Sequence, residues 1–457
     1  MSDSVDLHLA ADRSATIASR ADVVVVGGGP AGVCAAVAAA RQGASVVLLE
    51  RYSYLGGLAS GGMVLVLDDM CSGSEITVMG LCAEYIDRMQ RENLVVVPPP
   101  HERTARPEHY RKWARWGLFD LYARTKPPPV CYAATFDPDS WKRVSTEMVR
   151  EAGVETRLHS WFSRAIVEDD RIRGVVCETK SGRQAIMGDV VIDASGDLDV
   201  IASAGAPFAH EQYLVTNVFR LGGVDTDEAD RFQHEEPEAF ARIDGQARKI
   251  IGGSWEFWWL KTPLPGIVWC NCPHLTGIDG LDVADMTRAE YETRRRADQL
   301  IDYVKQNLPG FQKCFIVDFA PQLGVRQTRL LQGEYVVTKE DINNRRWFAD
   351  SVARGRDYFT PYRALQPKGL VNALAAGRHY SATSTAQKIS REIPPCMAMG
   401  EAAGVAAAMA LESKANVKNV DIERLRRRLR ESGAIPGDKP TASTAASEQN
   451  NKFDLQT

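Results

Sequence analysis

The chain has 457 residues, of which 44% are hydrophobic and 25% charged, and its formal net charge is −4. This is ordinary globular composition, and the length predicts about two to four domains. The charge gives no reason to expect nucleic acid, no run approaches the ~18 apolar residues of a membrane span, and residues 1–20 lack the apolar core of a secretory signal. We therefore expect a cytoplasmic protein with a small-molecule substrate and no nucleic-acid or membrane partner, while homo-oligomer formation stays open.

The segment 22–50 has the pattern of a dinucleotide-binding βαβ unit, with a Val-rich strand, a glycine-rich turn, an Ala-rich helix and a second strand. In the turn, Gly27 permits a tight bend, Gly29 lets the backbone approach a pyrophosphate, and Gly32 lets the helix pack close to the sheet. Pro30 and Ala31 start the helix, whose free N–H groups and positive dipole end attract phosphates. The turn is therefore predicted to bind the pyrophosphate of a dinucleotide.

Glu50 ends the second strand, where its carboxylate can accept both ribose hydroxyls of an adenosine and would repel a 2′-phosphate. Arg51 and the pair Gly56-Gly57 follow it. This order resembles the Glu-Arg/Lys…Gly-Gly signature of glutathione-reductase-type flavoproteins. The resemblance implies that the cofactor is FAD and that this loop runs beside it.

Further segments extend the resemblance along the chain. They are the helix start at 136–142, the strand and turn at 190–197, the Gly-Val-Arg-Gln-Thr-Arg segment at 324–329, and the segments 376–378 and 391–404. Together they are similar to the broad FAD-dependent oxidoreductase family related to the flavoprotein subunit of heterodisulfide reductase and, more distantly, to fumarate reductases. The similarity spans residues 20–431.

We expect an α/β fold in which a Rossmann-type FAD-binding domain, with a parallel sheet and an antiparallel meander, carries an inserted α+β substrate domain. Segments 164–167, 174–179 and 184–187 predict the meander, and 190–193 predicts a separate buried strand. The expected units are the FAD-binding domain (20–93, 131–205 and 365–415), a Pro-rich basic insert (94–130), the substrate domain (206–364), a C-terminal helix (416–431) with a solvated arginine face, and a disordered tail (432–457).

Proline triplets bound the insert, so it is a stiffly tethered excursion rich in Arg, Lys and Trp. One interpretation is a solvated surface arm or an oligomer contact. The other is a lid over the active site or a site for an anionic partner.

Pro394 and Pro395 precede a helix of small residues. Its exposed N–H groups aim a positive dipole end at an anion. The resemblance implies that this helix start faces the N1–O2 edge of the flavin, so Met397 and its neighbour Cys396 would stabilise the reduced, anionic flavin. An Ala-rich core helix is the alternative, and both roles are compatible.

The resemblance also implies a place for other residues along the FAD. Gly377 is expected near the ribityl-pyrophosphate, and Ser195, Gly196 and Phe162 near the adenosine half. Arg378 stands where many such flavoproteins have Asp, which leaves its role open.

The catalytic candidates are five proton-carrying or cationic side chains in the signature segments, namely His379, Tyr380, Arg326, Arg329 and Arg391. Arg326 and Arg329 either bind a substrate carboxylate in fork geometry or tie the two domains together by ion pairs. His379 either lies beside the flavin or is a structural histidine. Aromatic residues crowd into a short stretch of the substrate domain and form either core or the wall of a pocket for a flat substrate. They are Trp255, Phe257, Trp258, Trp259 and Trp269.

The nine cysteines include no Cys-x-x-Cys pair, so neither a local redox dithiol nor a clustered metal centre is expected. Cys270 and Cys272 are interpreted as buried thiols rather than ligands. The leading hypothesis is an FAD-dependent oxidoreductase that oxidises or reduces a small organic substrate, with aromatic or carboxylated compounds as candidates, by hydride transfer at flavin N5; dehydrogenation is favoured. The alternative is an NAD(P)H-dependent flavin monooxygenase, and a third reading has FAD as a structural prop.

Overall fold

The computed structural model describes residues 14–123, 125–252 and 259–440. Its α-helices are α1 (Pro30–Arg41), α2 (Gly57–Ser60), α3 (Leu81–Arg91), α4 (Pro107–Trp113), α5 (Pro138–Glu151), α6 (Asp199–Ser203), α7 (Thr226–Glu235), α8 (Pro237–Ile251), α9 (Val283–Asn307), α10 (Lys339–Asn343), α11 (Ser384–Ser390), α12 (Ile393–Glu412) and α13 (Ile422–Glu431).

The strands are β1 (Thr16–Val26), β2 (Val46–Leu49), β3 (Val66–Leu67), β4 (Cys71–Ser72), β5 (Glu75–Ile76), β6 (Val95–Val96), β7 (Ala134–Phe136), β8 (Glu155–Arg157), β9 (Trp161–Glu168), β10 (Arg171–Thr179), β11 (Gly182–Asp193), β12 (Phe208–His210), β13 (Val215–Thr216), β14 (Phe219–Gly222), β15 (Trp259–Lys261), β16 (Val268–Cys270), β17 (His274–Leu275), β18 (Phe315–Phe319), β19 (Gly324–Val325), β20 (Arg329–Leu331), β21 (Ser351–Arg354), β22 (Phe359–Pro361) and β23 (Ala373–Ala375).

The central sheet has a parallel half and an antiparallel half. Strands β8, β2, β1, β11 and β23 lie side by side and run parallel, while β9 and β10 form an antiparallel meander with the first half of β11. The last four residues of β1 and all four residues of β2 are apolar and buried. Burial on both faces is expected for parallel strands that are covered by helices on both sides. The predicted α/β fold with a Rossmann-type sheet is confirmed.

One prediction for this sheet was wrong in detail. Segments 184–187 and 190–193 belong to a single strand, β11, rather than to two. Gly188 does not interrupt β11. It leaves room for the Val24 side chain of β1, because a Cβ at position 188 would lie only 2.6 Å from Val24 Cγ2. Strand β11 therefore carries the chain directly from the meander into the parallel sheet.

Helices α1 and α12 pack closely against each other on one face of the sheet. A Cβ at Gly400 would overlap the carbonyl oxygen of Ala31, and one at Gly404 would overlap that of Ala35. Glycines one turn apart therefore let the two backbones approach. The small residues of α12 serve this helix contact, as the core-helix alternative predicts.

Residues 206–364 contain a second, smaller core. Strands β15, β16, β14 and β18 form an antiparallel sheet, and its buried residues pack with those of α7, α8 and α9. Trp259 is buried in this core, while Trp269 belongs to the larger core. Trp255, Phe257 and Trp258 lie outside the described residues. Cys270 and Cys272 are buried free thiols.

The Pro-bounded insert is packed onto the protein. Trp113, Leu118 and Val130 form a small apolar cluster with Cys71 and Cys131. Within the insert, Glu102 accepts hydrogen bonds from the Trp113 indole (2.6 Å) and Lys112 (2.7 Å). These contacts are not those of a freely solvated arm.

The C-terminal part of the described chain also packs. Leu425 and Leu429 of α13 are buried. The expected solvated arginine face is wrong for Arg426, which is buried too and donates to the Ser351 carbonyl at 2.8 Å. Residues 432–440 of the predicted tail are described, and the Trp347 indole donates to the Gly437 carbonyl at 3.1 Å. Residues 441–457 lie outside the described part.

Within the described part of the chain, one helix is long and apolar enough to cross a membrane by length and composition alone. It is α12, and 94% of its most apolar 18-residue window is buried inside the protein. The packing of α12 on α1 accounts for this apolar character without a membrane.

Candidate active site

A cleft of about 950 Å³ opens at the carboxyl ends of β1, β2, β11 and β23. Crevices at this edge of open α/β sheets are where dinucleotides bind. The predicted cofactor residues that line it are Gly27, Gly29, Pro30, Ala31, Glu50, Arg51, Gly57, Phe162, Ser195, Gly196, Gly377, Arg378 and Cys396. Gly32, Gly56 and Met397 are buried and are not among the residues that line it.

The glycine-rich turn forms one wall of the cleft. Gly27 has φ +103°, and a Cβ there would overlap the carbonyl of Ala194, while a Cβ on Gly32 would overlap the carbonyl oxygen of Gly27. Both positions therefore require glycine. At Gly29, by contrast, a Cβ would meet only the Cα of Gly57 at 3.9 Å, so this side of the turn is open.

The start of α1 faces this opening. Its N-cap residue, Gly29, has no capping side chain, and the first turn contains no acid. The first N–H groups of the helix are therefore available to an anion. The second glycine pair completes the wall, because Gly56 (φ +105°) donates from its N–H to the carbonyl of Gly28 at 2.7 Å and places Gly57 against Gly29.

Glu50 is held in place by the backbone. Its two carboxylate oxygens accept hydrogen bonds from the N–H groups of Gly28 (2.7 Å) and Tyr52 (2.9 Å). Burial raises the pKa of Glu50, although these two N–H groups and Arg51 act in the opposite direction. The neighbouring Arg51 guanidinium lies 5.7 Å from the ring of Trp161, which also lines the cleft.

Arg378 lies on the opposite wall. Its Nη2 donates to the Asp197 carboxylate at 3.0 Å, and a Cβ on Gly196 would come within 2.8 Å of its Nη1. Burial raises the pKa of Asp197, but the charges of Arg378 and Arg51 and a hydrogen bond from Thr328 outweigh burial and hold that pKa below its usual value. Asp197 is therefore a carboxylate that fixes the arginine.

Of the five catalytic candidates, only Arg391 is among the residues that line the cleft. His379 is 1% exposed, and its Nε2 lies 3.0 Å from the Asp193 carbonyl oxygen. Tyr380 is also 1% exposed, with its hydroxyl 2.6 Å from that of Ser390. Arg329 donates to Asp199 at 2.9 Å and to the carbonyl of Asp197 at 3.0 Å. These contacts favour structural roles for His379 and Tyr380, and the domain-tying role for Arg329.

Arg391 and Arg326 behave differently. Arg391 lines the cleft, and its Nε is buried with no hydrogen-bond partner among the described residues. Burial and the charge of Arg391 lower the pKa of Arg326 to about 10. Arg326 Nη2 lies 3.0 Å from the His274 Nε2, and burial with both arginine charges lowers the pKa of His274 to about 3. His274 is therefore neutral and accepts the hydrogen bond from Arg326.

Several groups near Arg391 were missed by the sequence analysis. Glu392 lies 3.7 Å from Arg391, and Asp68 and Tyr122 interact electrostatically with Glu392. Tyr122 comes from the Pro-bounded insert. These residues come from three separate segments without a shared motif. The only available signal was the pair of adjacent acids, Asp68 and Asp69, shortly after the second glycine pair.

No group of three or more His, Cys, Asp or Glu side chains within the described ranges is placed to hold a metal ion.

A family model for FAD dependent oxidoreductases matches residues 22–359 and 355–429 of the chain. The protein belongs to the FAD-dependent oxidoreductase family. A curated relative, digeranylgeranylglycerophospholipid reductase 1 of Methanopyrus kandleri, is 29% identical over 175 residues, which make up 38% of this chain and 39% of the relative. The similarity to this reductase thus covers well under half of its length.

The chain is also similar to solved structures. A geranylgeranyl bacteriochlorophyll reductase-like protein from Thermoplasma acidophilum is 16% identical, with 90% of this chain and 84% of that chain covered and a TM-score of 0.50. A p-nitrophenol 4-monooxygenase from Pseudomonas putida is 14% identical, with 94% and 92% covered and a TM-score of 0.48. At 16% identity, the likeness to the Thermoplasma protein is one of fold.

FAD is the cofactor of this family member. The cleft fits it. The open side of Gly29 and the uncapped start of α1 can take a pyrophosphate, and the backbone-anchored carboxylate of Glu50 can take ribose hydroxyls. Ile393 and Cys396, in the first turn of α12, also line the cleft. The cleft thus connects the phosphate-binding turn with the start of α12.

Proposed function

We propose that this FAD-dependent oxidoreductase transfers a hydride between flavin N5 and a small organic substrate that carries a carboxylate. Bound FAD supplies the two-electron acceptor or donor. The observation that carries the proposal is a pair of half-buried arginines: Arg391 lines the cleft where α12 begins, and its charge helps to lower the pKa of Arg326.

Arg326 and Arg391 are two like charges in a partly buried site. Two nearby cations lose hydration and repel each other, and Arg391 is part of the reason that the pKa of Arg326 is lowered. The neutral His274 orients Arg326 without adding negative charge. Glu392 is an acid beside this pair, but its separation from Arg391 is 3.7 Å and no close fork forms. A bound carboxylate would offset the repulsion and match the fork geometry of arginine.

The two arginines of the 324–329 segment would then have different roles. Arg329 is engaged with Asp199 and the Asp197 carbonyl and ties the substrate domain to the FAD domain. Arg326, with Arg391, would bind the substrate. The Glu50-Arg51 and Gly56-Gly57 pattern supports the further proposal that FAD lies extended, as in glutathione-reductase-type flavoproteins.

The test uses benzoate as a carboxylate probe and benzamide as its neutral analogue, with the absorbance spectrum of the bound flavin as readout. We expect benzoate to perturb the spectrum and benzamide to bind at least tenfold more weakly, because ~1.4 kcal/mol separates affinities by that factor. Arg391→Gln should lose the preference. Arg363→Gln is the matched control, since Arg363 is exposed and paired with Asp350 at 2.9 Å. Equal binding of both probes, or a preference that survives Arg391→Gln, would contradict the proposal.

A further inference from the structure

We infer that Gln322 binds FAD from the side of the substrate domain, through its side-chain amide. This contact would also fix the segment that leads from Gln322 to Arg326. The inference concerns the cofactor of the family and does not depend on the proposed substrate.

Gln322 has a singular place in the wall of the cleft. Among the described residues that line the cleft, it is the only one from the substrate domain (206–364); the others belong to the segments 26–58, 160–199 and 376–396. Gln322 is half-buried and lies between strands β18 and β19. The substrate domain therefore meets the cofactor cleft at one side chain.

The backbone holds Gln322 close to the glycine-rich turn. Its N–H donates to the Gly61 carbonyl at 3.1 Å, and Gly61 directly follows the four-residue helix α2. This helix begins at Gly57, where a Cβ would lie 2.8 Å from the Cα of Gly29. Four helical residues span roughly 6 Å, so Gln322 is tied within reach of a cofactor whose pyrophosphate lies at Gly29.

The side-chain amide of Gln322 has an unused hydrogen-bonding group. Its Oε1 is buried and has no hydrogen-bond partner among the described residues. A buried acceptor without a donor is costly, so a ligand that supplies the donor would relieve this cost. The last torsion of a glutamine side chain is soft, and the amide can turn its oxygen or its nitrogen towards a bound molecule.

Two other cleft-lining residues have a buried polar atom without a partner among the described residues. They are Arg378 and Arg391, and the atom is Nε in both. Both nitrogens are donors, which suit an anionic or carbonyl oxygen of a ligand. Gln322 Oε1 is the acceptor of the three, so it is the atom that can receive a hydrogen bond from a hydroxyl group or a ring N–H of FAD.

The segment that follows Gln322 is held at its other end by helix α11. The Arg326 carbonyl accepts a hydrogen bond from Gln387 Nε2 at 3.0 Å, and Gln387 Oε1 accepts one from Gln327 Nε2 at 2.6 Å. A hydrogen bond between Gln322 and FAD would add a contact with the cofactor at the near end. Cofactor binding would then help to set the position of Arg326.

The first test replaces the amide by a side chain of similar length in Gln322→Met. Because the described protein supplies no donor to Oε1, the apoprotein of this variant should be at least as stable in urea as the natural apoprotein. The Kd for FAD, measured by flavin fluorescence quenching, should rise about three- to tenfold. Gln306→Met, at an exposed position of α9, is the matched control and should change neither quantity.

Two results of this test would overturn the inference. An unchanged Kd for FAD in Gln322→Met would remove Gln322 from the cofactor site. A less stable or unfolded apoprotein would show that the amide serves the fold instead.

The second test uses hydrogen exchange followed by mass spectrometry. FAD should slow the exchange of backbone amides in residues 322–327 of the natural protein, and this protection should be smaller in FAD-saturated Gln322→Met. Helix α8, which contributes no residue to the cleft lining, is the internal control. If FAD leaves the exchange of 322–327 unchanged in the natural protein, the inference is wrong whatever the Kd values are. Neither test uses benzoate, so failure of the carboxylate proposal would leave both expectations as they are.

Discussion

Arg378 Nη2 donates to the Asp197 carboxylate at 3.0 Å, and this contact fixes a cation in the wall of the FAD cleft. The position directly follows Gly377, whose φ of +117° turns the chain. The Nε of Arg378 is buried without a hydrogen-bond partner among the described residues. A cation held in this way, with donor capacity to spare, can serve the anionic part of the cofactor.

We therefore expect Arg378→Gln to weaken FAD binding. Loss of one hydrogen bond from a charged group costs about 1.5–3 kcal/mol, which corresponds to a rise in Kd of at least tenfold. The measurement is the quenching of flavin fluorescence as FAD is added to the apoprotein. Arg363→Gln, which alters an exposed arginine paired with Asp350, should leave the Kd unchanged. An unaltered Kd in Arg378→Gln would remove Arg378 from the cofactor site.

Glu401 predicts how stability depends on pH. It lies buried in α12 and accepts a hydrogen bond from the Leu81 N–H at the start of α3 (3.1 Å), but burial raises its pKa to about 7. The folded protein therefore holds the Glu401 proton more tightly than the unfolded chain does. The contribution of Glu401 to the free energy of unfolding is thus most favourable below the usual carboxyl pKa. That contribution is lost as pH rises to about 7 and is constant above it.

Glu401→Gln should reduce this loss, by at most about 3 kcal/mol. Urea midpoints at pH ~5 and ~8 measure the effect. The stability of Glu401→Gln should still depend on pH to some extent, because burial also raises the pKa of Asp69 to about 7 and that of Asp199 to about 6. Exposed Glu431→Gln is the control. If Glu401→Gln shows the same pH dependence as the natural protein, Glu401 is already ionised at low pH.

We expect His379 to stabilise the folded protein rather than to take part in the redox step. Burial lowers its pKa, so the neutral ring donates from Nε2 to the Asp193 carbonyl at 3.0 Å. His379→Leu should destabilise the protein by about 1–3 kcal/mol through the lost hydrogen bond, and the rate of flavin reduction per bound FAD should change little. Urea unfolding and anaerobic stopped-flow absorbance measure the two quantities. Normal stability with a lost reduction rate would restore His379 as a catalytic candidate.

The cofactor half of the protein could be predicted because its signals are local. Gly27 and Gly32 are required by backbone contacts inside one βαβ unit, and Glu50 is anchored by Gly28 and Tyr52, all within a short stretch. Residues that contact each other here are also close in the sequence, so a sequence motif can reveal them. The continuity of β11 escaped prediction because the need for Gly188 arises from a neighbouring strand.

The substrate half could be predicted only in part, because tertiary packing assembles it. Arg326 and Arg391 were both candidates, but their proximity depends on how residues 206–364 dock on the start of α12. His274 carries no motif, and only the folded chain brings it to Arg326. Arg329 lies in the same sequence segment as Arg326 and was an equal candidate, but in the structure it donates a hydrogen bond to Asp199.

The central claim is hydride transfer between FAD and an organic carboxylate, and anaerobic flavin absorbance with substrate panels tests it most directly. Hydroxy acids and amino acids, aliphatic and aromatic, would be added beside the matching alcohols and amines without a carboxylate, and NADH and NADPH would be added separately. We predict that at least one carboxylated compound bleaches the flavin without a nicotinamide and that its decarboxylated analogue does not. Bleaching by a nicotinamide alone, accelerated by a neutral aromatic compound that becomes hydroxylated in air, would contradict the account and identify a monooxygenase.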